Sequence, residues 1–266
     1  MKKLYYSLVR GALKSVGRLS TGIDMSYRYG LVSGKMLDYV YQNKPQGRLG
    51  IGRWFDALYL NSPGWKSIRE REALMEAALR KTLDQVSNPS HSAHILDIAA
   101  GKARYVIEVL AQAPYRQASA LLRDLDERWV HEGNAILKER SLNHLHFETG
   151  DAFDQAFFAS AQGQYNVIVS SGFYDWLTDD AQVKQSFKLV VEALPSGGYF
   201  LFTNQCGHFN LEFMENVFTD LNQNALKMVV RNVDTMNGWA QDLGMKIVST
   251  KKDSYGYYAV TIAQKI

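Results

Sequence analysis

The chain predicts a doubly wound α/β fold preceded by a helical, basic extension. From residue 94 onward, short apolar runs alternate with stretches of helical spacing. The first run ends in an acid and passes through small residues into a helix, in His94-Ile-Leu-Asp-Ile-Ala-Ala-Gly-Lys-Ala-Arg104. The residues before it show helical spacing and an excess of positive charge.

Within residues 2–19, Leu4, Tyr5, Leu8, Val9, Ala12, Leu13, Val16 and Leu19 recur at helical spacing, with Lys2, Lys3, Arg10, Lys14 and Arg18 between them. This is a basic amphipathic helix, which either packs on the domain or lies in a membrane interface. It is too short and too interrupted by charge to be a signal-peptide core, and a mitochondrial-type transit peptide is a lesser alternative, the segment being acid-free but poor in Ser and Arg. Residues 1–53 hold ten Lys or Arg against Asp24 and Asp38, a net of +8; the whole chain is +3, which leaves −5 for residues 54–266. Charge loaded on the front implies an anionic partner there: headgroups, a phosphorylated substrate or nucleic acid.

Residues 20–66 are broken by seven glycines, so short helices and turns are expected. Their aromatics, Tyr27, Tyr29, Tyr39, Tyr41, Trp54, Tyr59 and Trp65, serve either as packing residues or as pocket walls. Ile68, Leu74, Ala77, Ala78 and Leu83 then give an amphipathic helix over 67–86, and Asn88-Pro89-Ser90 connects it to the first strand. The organisation is an extension over 1–66 and an α/β domain over 67–266.

Ile95, Leu96 and Ile98 read as a buried strand with Asp97 at its carboxyl end. Ala99, Ala100, Gly101 and Ala103 allow a tight turn and close approach of a ligand to the backbone. Val106, Ile107, Val109, Leu110 and Ala113 continue as a helix whose N-terminus faces that loop. Ala118 to Arg123 is a second strand ending at Asp124, one βαβ unit beyond Asp97, where a carboxylate can accept both hydroxyls of a ribose. The third run, His146 to Phe153, places Asp151 after Gly150; that acid can take the exocyclic amine of an adenine, with Leu125, Ala152 and Phe153 flanking the ring. Tyr165–Ser171 reads as strand four, Gln182–Leu194 as a helix, and Gly198–Thr203 as strand five after the Pro195-Ser-Gly-Gly198 turn.

In this order the motifs resemble class I S-adenosylmethionine-dependent methyltransferases: the acid-containing glycine loop, the acid after strand two, the Gly-Asp-Ala segment after strand three, and the Pro-x-Gly-Gly turn. The resemblance covers residues 67–266. It implies a seven-stranded, mostly parallel sheet closed by an antiparallel pair, Lys246–Lys251 and Tyr257–Gln264. More narrowly, Leu96-Asp-Ile-Ala-Ala-Gly101 with Arg104-Tyr105, Leu122-Arg-Asp124 and Gly150-Asp-Ala-Phe-Asp154 resemble a bacterial subgroup that often follows an α/β-hydrolase-like domain and neighbours phospholipid-synthesis genes. The resemblance implies S-adenosylmethionine as cofactor, S-adenosylhomocysteine as product, and Asp97, Ala99, Gly101, Arg104, Asp124, Leu125, Asp151, Ala152, Phe153 and Ser171 as binding residues. It also implies that the segment before the first strand covers the cofactor as a lid. The pattern departs from the family at Ala99 and Ala103, where many members carry glycine.

Acceptor chemistry is expected after strand four, in Ser170-Ser-Gly-Phe-Tyr-Asp-Trp176. This is not the Asn-Pro-Pro-aromatic signature of enzymes acting on planar nitrogens. Tyr174, Asp175 and His208 are the candidate bases, although transfer from a sulfonium needs alignment more than a base. No metal is expected, since the six histidines follow no ligand spacing. The lone Cys206 reads as a packing residue and excludes an internal disulfide. The acceptor is expected to be small or lipid-like, in a cytoplasmic enzyme peripheral to the inner face of the membrane. An RNA methyltransferase using the basic front, or a non-catalytic scaffold with an impaired loop, are the alternatives.

Overall fold

A computed structural model describes residues 2–31, 33–86, 92–208, 210–220, 224 and 226–266. The expected connector Asn88-Pro89-Ser90 lies outside the described residues. The strands are β1 (His94–Ile98), β2 (Ser119–Asp124), β3 (Leu145–Thr149), β4 (Val167–Ser170), β5 (Tyr199–Gln205), β6 (Met245–Lys252) and β7 (Tyr258–Lys265). They form one seven-stranded sheet in the order β3-β2-β1-β4-β5-β7-β6. Strands β1 to β5 are parallel to one another, and β7 runs antiparallel between β5 and β6.

The helices are α1 (Lys2–Ser15), α2 (Thr21–Tyr29), α3 (Gly34–Gln42), α4 (Leu49–Leu60), α5 (Pro63–Val86), α6 (Arg104–Leu110), α7 (Glu127–Glu139), α8 (Gln155–Ser160), α9 (Asp180–Ala193), α10 (Leu211–Val217) and α11 (Val233–Asp242). A 3-10 turn, Val16–Leu19, follows α1. Side-chain caps set several starts: Ser20 and Ser33 accept backbone N–H groups at α2 and α3, and Asp126, Asp154 and Asp179 do so at α7, α8 and α9.

The backbone groups into two compact units, residues 1–70 with 208–229, and residues 71–207 with 230–266. In the second, the sheet separates two apolar clusters. On one side Leu79 and Leu83 of α5, Val106 and Leu110 of α6 and Leu137 of α7 meet Ile95, Leu122, Phe147, Val167 and Leu201. On the other, Phe158 of α8, Phe187 and Val190 of α9 and Met236 of α11 meet Leu96, Ile168, Phe200 and Phe202. The central strands β4 and β5, covered on both faces, are buried at every position and β1 at all but His94, which is why they read as apolar runs, whereas β2 and β3 toward the sheet edge keep partly exposed positions. Strand β5 extends two residues past the expected end because Asn204 and Gln205 still pair with β7, opposite Ala259 and Tyr258.

The first unit is built around a buried carboxylate. Asp56 of α4 is fully buried and accepts hydrogen bonds from Ser20 Oγ at 2.6 Å, Gly22 N at 2.7 Å, Gln46 N at 2.9 Å and the Tyr39 hydroxyl. Tyr27 stacks on Phe218 and donates to the Val217 carbonyl, which ties α2 to the end of α10. Tyr27, Tyr39 and Trp65 are packing residues, whereas Trp54 is 58% exposed. Among the described residues, no helix is long and apolar enough to cross a membrane.

Candidate functional site

The sheet order places a topological switch point between β1 and β4. Helix α6 follows β1 onto one face and α9 follows β4 onto the other, so the two chains diverge and leave a crevice at the carboxyl ends of the strands.

The loop after β1 forms one wall. Ala99, Gly101 and Ala103 all adopt left-handed backbone, with φ of 52°, 54° and 45°. The two alanines carry a conformational cost of about 1 kcal/mol each that glycine would avoid. Backbone hydrogen bonds hold the loop to β2: Ala100 N donates to the Arg123 carbonyl at 2.9 Å, and Gly101 N to one Asp124 carboxylate oxygen at 2.7 Å. The other oxygen of Asp124 accepts Asp126 N at 2.9 Å. A methyl group at Gly101 would meet nothing within 4 Å, so the space above the loop is open and only φ favours glycine there.

Asp97 lies beneath this loop, fully buried, with both oxygens hydrogen-bonded by the Tyr105 hydroxyl at 2.8 and 2.7 Å. Burial pushes its carboxyl up to about 8, and the charge of Asp124 adds to the shift. Tyr105 was not among the expected site residues; its signal was its place on the first turn of the helix that follows the loop. Arg104 points its Nε at Glu72 of α5, 3.2 Å away.

After β3, Gly150 N donates to the Asp124 carbonyl at 3.0 Å, joining the two acid-bearing turns. Asp151 accepts Phe153 N at 2.8 Å, the Phe153 ring lies 5.8 Å from that of Phe173, and Leu125 is 70% exposed. Buried Arg123 braces this turn from behind: it pairs with Glu148 at 3.1 Å and Asp154 at 3.7 Å, and its guanidinium stacks 3.4 Å over the Phe157 ring. Sequence reading passed over Arg123 because a basic residue inside a strand carries no motif of its own.

Beyond β4, half-buried Ser171 precedes Gly172, whose N–H donates to Thr203 Oγ1 at 2.7 Å. The candidate bases fall in three different settings. Tyr174 is 1% exposed, with its ring against Phe187 and Phe200 and its hydroxyl 3.2 Å from Ser186 Oγ; it is a core residue with no atom turned to an acceptor, and burial raises its pKa. Asp175 is equally enclosed, paired with Arg71 at 3.1 Å and accepting Gln205 N at 2.7 Å. Burial lifts its carboxyl to about 6, with Arg71 pulling the other way. His208 groups with the first unit; its Nδ1 accepts Asn210 N at 3.0 Å, and burial lowers its pKa. Two buried arginines hold the segment in place. Arg71 lies over the Tyr258 ring, and Arg231 donates to the Tyr174 and Leu177 carbonyls while pairing with Asp180. Cys206 is half-buried with its Sγ against the Gly256 carbonyl, and burial raises its pKa.

Residues 1–265 match the model of a family described as "Putative methyltransferase". The chain belongs to this family. The chain is 32% identical over 262 residues to the Escherichia coli K12 protein YnbC, described as uncharacterized. That match takes in 98% of this chain and 45% of YnbC, so the chain spans less than half the length of this relative. Among solved structures, a Bordetella parapertussis protein described as a possible exported protein aligns with a TM-score of 0.69 at 15% identity, over 88% of this chain and 79% of that one. Magnesium protoporphyrin IX methyltransferase from Synechocystis PCC 6803, solved with bound S-adenosylhomocysteine, aligns with a TM-score of 0.61 at 12% identity, over 98% and 99%. At such identities the likeness is one of fold, and the fold is that of class I S-adenosylmethionine-dependent methyltransferases.

Proposed function

We propose that this methyltransferase takes its methyl group from S-adenosylmethionine, leaves S-adenosylhomocysteine, and acts on a small or lipid-like acceptor in the cytoplasm. The observation that carries the reading is the constellation of Asp97, Gly101 and Asp124 at the switch point. Each oxygen of Asp124 holds one backbone N–H and keeps a further lone pair for a ribose hydroxyl. Asp151 serves the adenine amine, with Leu125, Ala152 and Phe153 beside the ring, while Ala99, Gly101, Arg104 and Ser171 line the remainder. The open space above Gly101 fits the close approach of a ligand.

Bound S-adenosylmethionine supplies a methyl group on a sulfonium, a leaving group already activated. The chain's own residues therefore align the acceptor and keep water out. Arg71, Thr203 and Arg231 fix the Gly172–Leu177 segment through the contacts to Asp175, Gly172 N and two carbonyls. Asp175 acts in this reading as a positioning group, since its carboxylate is already taken up by Arg71 and the Gln205 N–H. A lipid-like acceptor is supported by the positive charge of residues 1–53 and the exposed apolar side chains Leu4 and Leu8 among them.

Titration calorimetry with S-adenosylmethionine, with NAD as control, tests the reading. Binding of S-adenosylmethionine alone is expected, weakened about tenfold or more in Asp124→Ala, which loses two hydrogen bonds of roughly 1 kcal/mol each. Absence of binding in the folded wild-type protein would replace the enzyme with a scaffold, and salt-sensitive retention of mixed RNA would redirect the acceptor to RNA.

A further inference from the structure

We infer that the outward faces of α1 and α4 form a docking surface for an anionic lipid bilayer. The inference is independent of the methyl acceptor and of cofactor binding.

Helix α4 is amphipathic in the reverse sense. Its inner face carries Gly52, Asp56 and Leu60, spaced four apart and buried, while Ile51, Trp54, Phe55 and Leu58 occupy the opposite face at i, i+3, i+4 and i+7. Those four are 58%, 58%, 36% and 53% exposed, and Leu49 at the helix start is 76% exposed. The rotation of the helix is fixed from inside. Asp56 holds its four hydrogen bonds, and Gly52 presses on Leu19 so closely that a Cβ there would stand 2.4 Å from the Leu19 carbonyl oxygen. Turning the apolar stripe inward would carry Asp56 out to solvent and leave its donors, Ser20 Oγ, Gly22 N, Gln46 N and the Tyr39 hydroxyl, without their acceptor, so the stripe stays out.

Helix α1 buries no residue completely: Tyr6 meets Phe213 of α10 on one side, whereas Leu4 and Leu8 are each 67% exposed, Tyr5 is 56%, and Val16 in the 3-10 turn that follows is 61%. The two helices share one anchor: the chain leaving α1 reaches Leu19, whose carbonyl accepts Arg48 N at the start of α4. Isolated exposed leucines are ordinary, but two helices and the turn that links them to Leu19, presenting nine large apolar side chains, are a surface that needs an occupant.

Charge selects the occupant. No acid occurs in residues 2–23 or 39–55, and Lys3, Lys14, Lys44, Arg48 and Arg53 are exposed along these stretches. A second copy of the chain would set a segment of net +8 against the same charge. A nucleic acid would answer the charge and leave the leucines in water. An anionic bilayer answers both, with apolar side chains among the acyl chains, Trp54 and Tyr5 at headgroup depth, and lysines and arginines against phosphates.

The test is co-sedimentation of the full chain with phosphatidylcholine vesicles made with and without phosphatidylglycerol. Binding is expected only with phosphatidylglycerol, weakened by salt, and reduced about tenfold or more in the double variant Trp54→Glu, Leu58→Glu. A thermal melt reports whether that variant is folded. Should it not fold, the wild-type protein decides through quenching of tryptophan fluorescence by brominated lipid, which Trp54→Phe should largely abolish while vesicle binding persists. Equal binding of folded variant and wild type, no binding of the wild type to either vesicle, or a Trp54-dependent dimer that ignores vesicles would each overturn the inference.

Discussion

Two glycines in the cofactor half show how single positions carry the site. A methyl group at 150 would fall 2.2 Å from the Arg123 guanidinium, and one at 133 would fall 2.5 Å from the Phe147 ring. Phe147 is a buried ring between α7 and β3 with nowhere to go, so Gly133→Ala is expected to cost about 1–3 kcal/mol in a urea melt through overpacking. Arg123 can move, but only by leaving Glu148, Asp154 and the face of Phe157. Gly150→Ala is therefore expected to weaken S-adenosylmethionine binding more than it weakens the fold, because the turn that carries Asp151 loses its brace. Calorimetry and a melt on the same protein separate the two effects, and a variant that binds as tightly as wild type would remove Arg123 from the site's support.

At the scale of elements, helix α5 is joined to the segment after β4 by one buried ion pair. Arg71 and Asp175 are 8% and 3% exposed, and the guanidinium also covers Tyr258 of β7. Arg71→Met would leave a buried carboxylate without its cation, at a cost of roughly 3–5 kcal/mol. Adding Asp175→Asn should recover part of that loss; a double variant no more stable than Arg71→Met would mean the pair is not coupled in this way. The pair was not legible in the sequence, since Arg71 sits within an ordinary amphipathic repeat far from residue 175. The central strands were legible because burial on both faces writes them as apolar runs, and the loop after β1 was legible because tight backbone turns restrict residue size. The left-handed conformation of Ala99 and Ala103 was hidden, since alanine gives no signal for positive φ. Helix α4 misleads a reader of periodicity: its strongest apolar stripe faces out, and the residue that fixes its orientation is an aspartate whose partners lie up to 36 positions away.

For the molecule as a whole, the buried carboxylates set the dependence of stability on pH. Asp97 and Asp175 have carboxyls raised by burial from an ordinary value near 3.8, to about 8 and about 6. The folded protein thus keeps protons that the unfolded chain releases. Their contribution is complete below about pH 4 and falls from there as the unfolded chain releases its protons, that of Asp175 until about pH 6 and that of Asp97 until about pH 8. Glu108 and Asp126 work in the opposite sense, because Arg140 and Arg128 hold their pKa values down, so their support fades on acidification; both ion pairs are largely exposed and weak. The net expectation for the cofactor-free protein is a stability that falls from mildly acidic to mildly alkaline pH. In Asp97→Asn the side-chain amide keeps one acceptor for Tyr105 and has no proton to lose, so the fall above pH 6 should flatten and that below it should lessen, while Asp175→Asn should lessen only the fall between about pH 4 and 6. Urea midpoints across this range read both effects, and a curve for Asp97→Asn that stays parallel to wild type above pH 7 would show that Asp97 is already ionised in the folded protein.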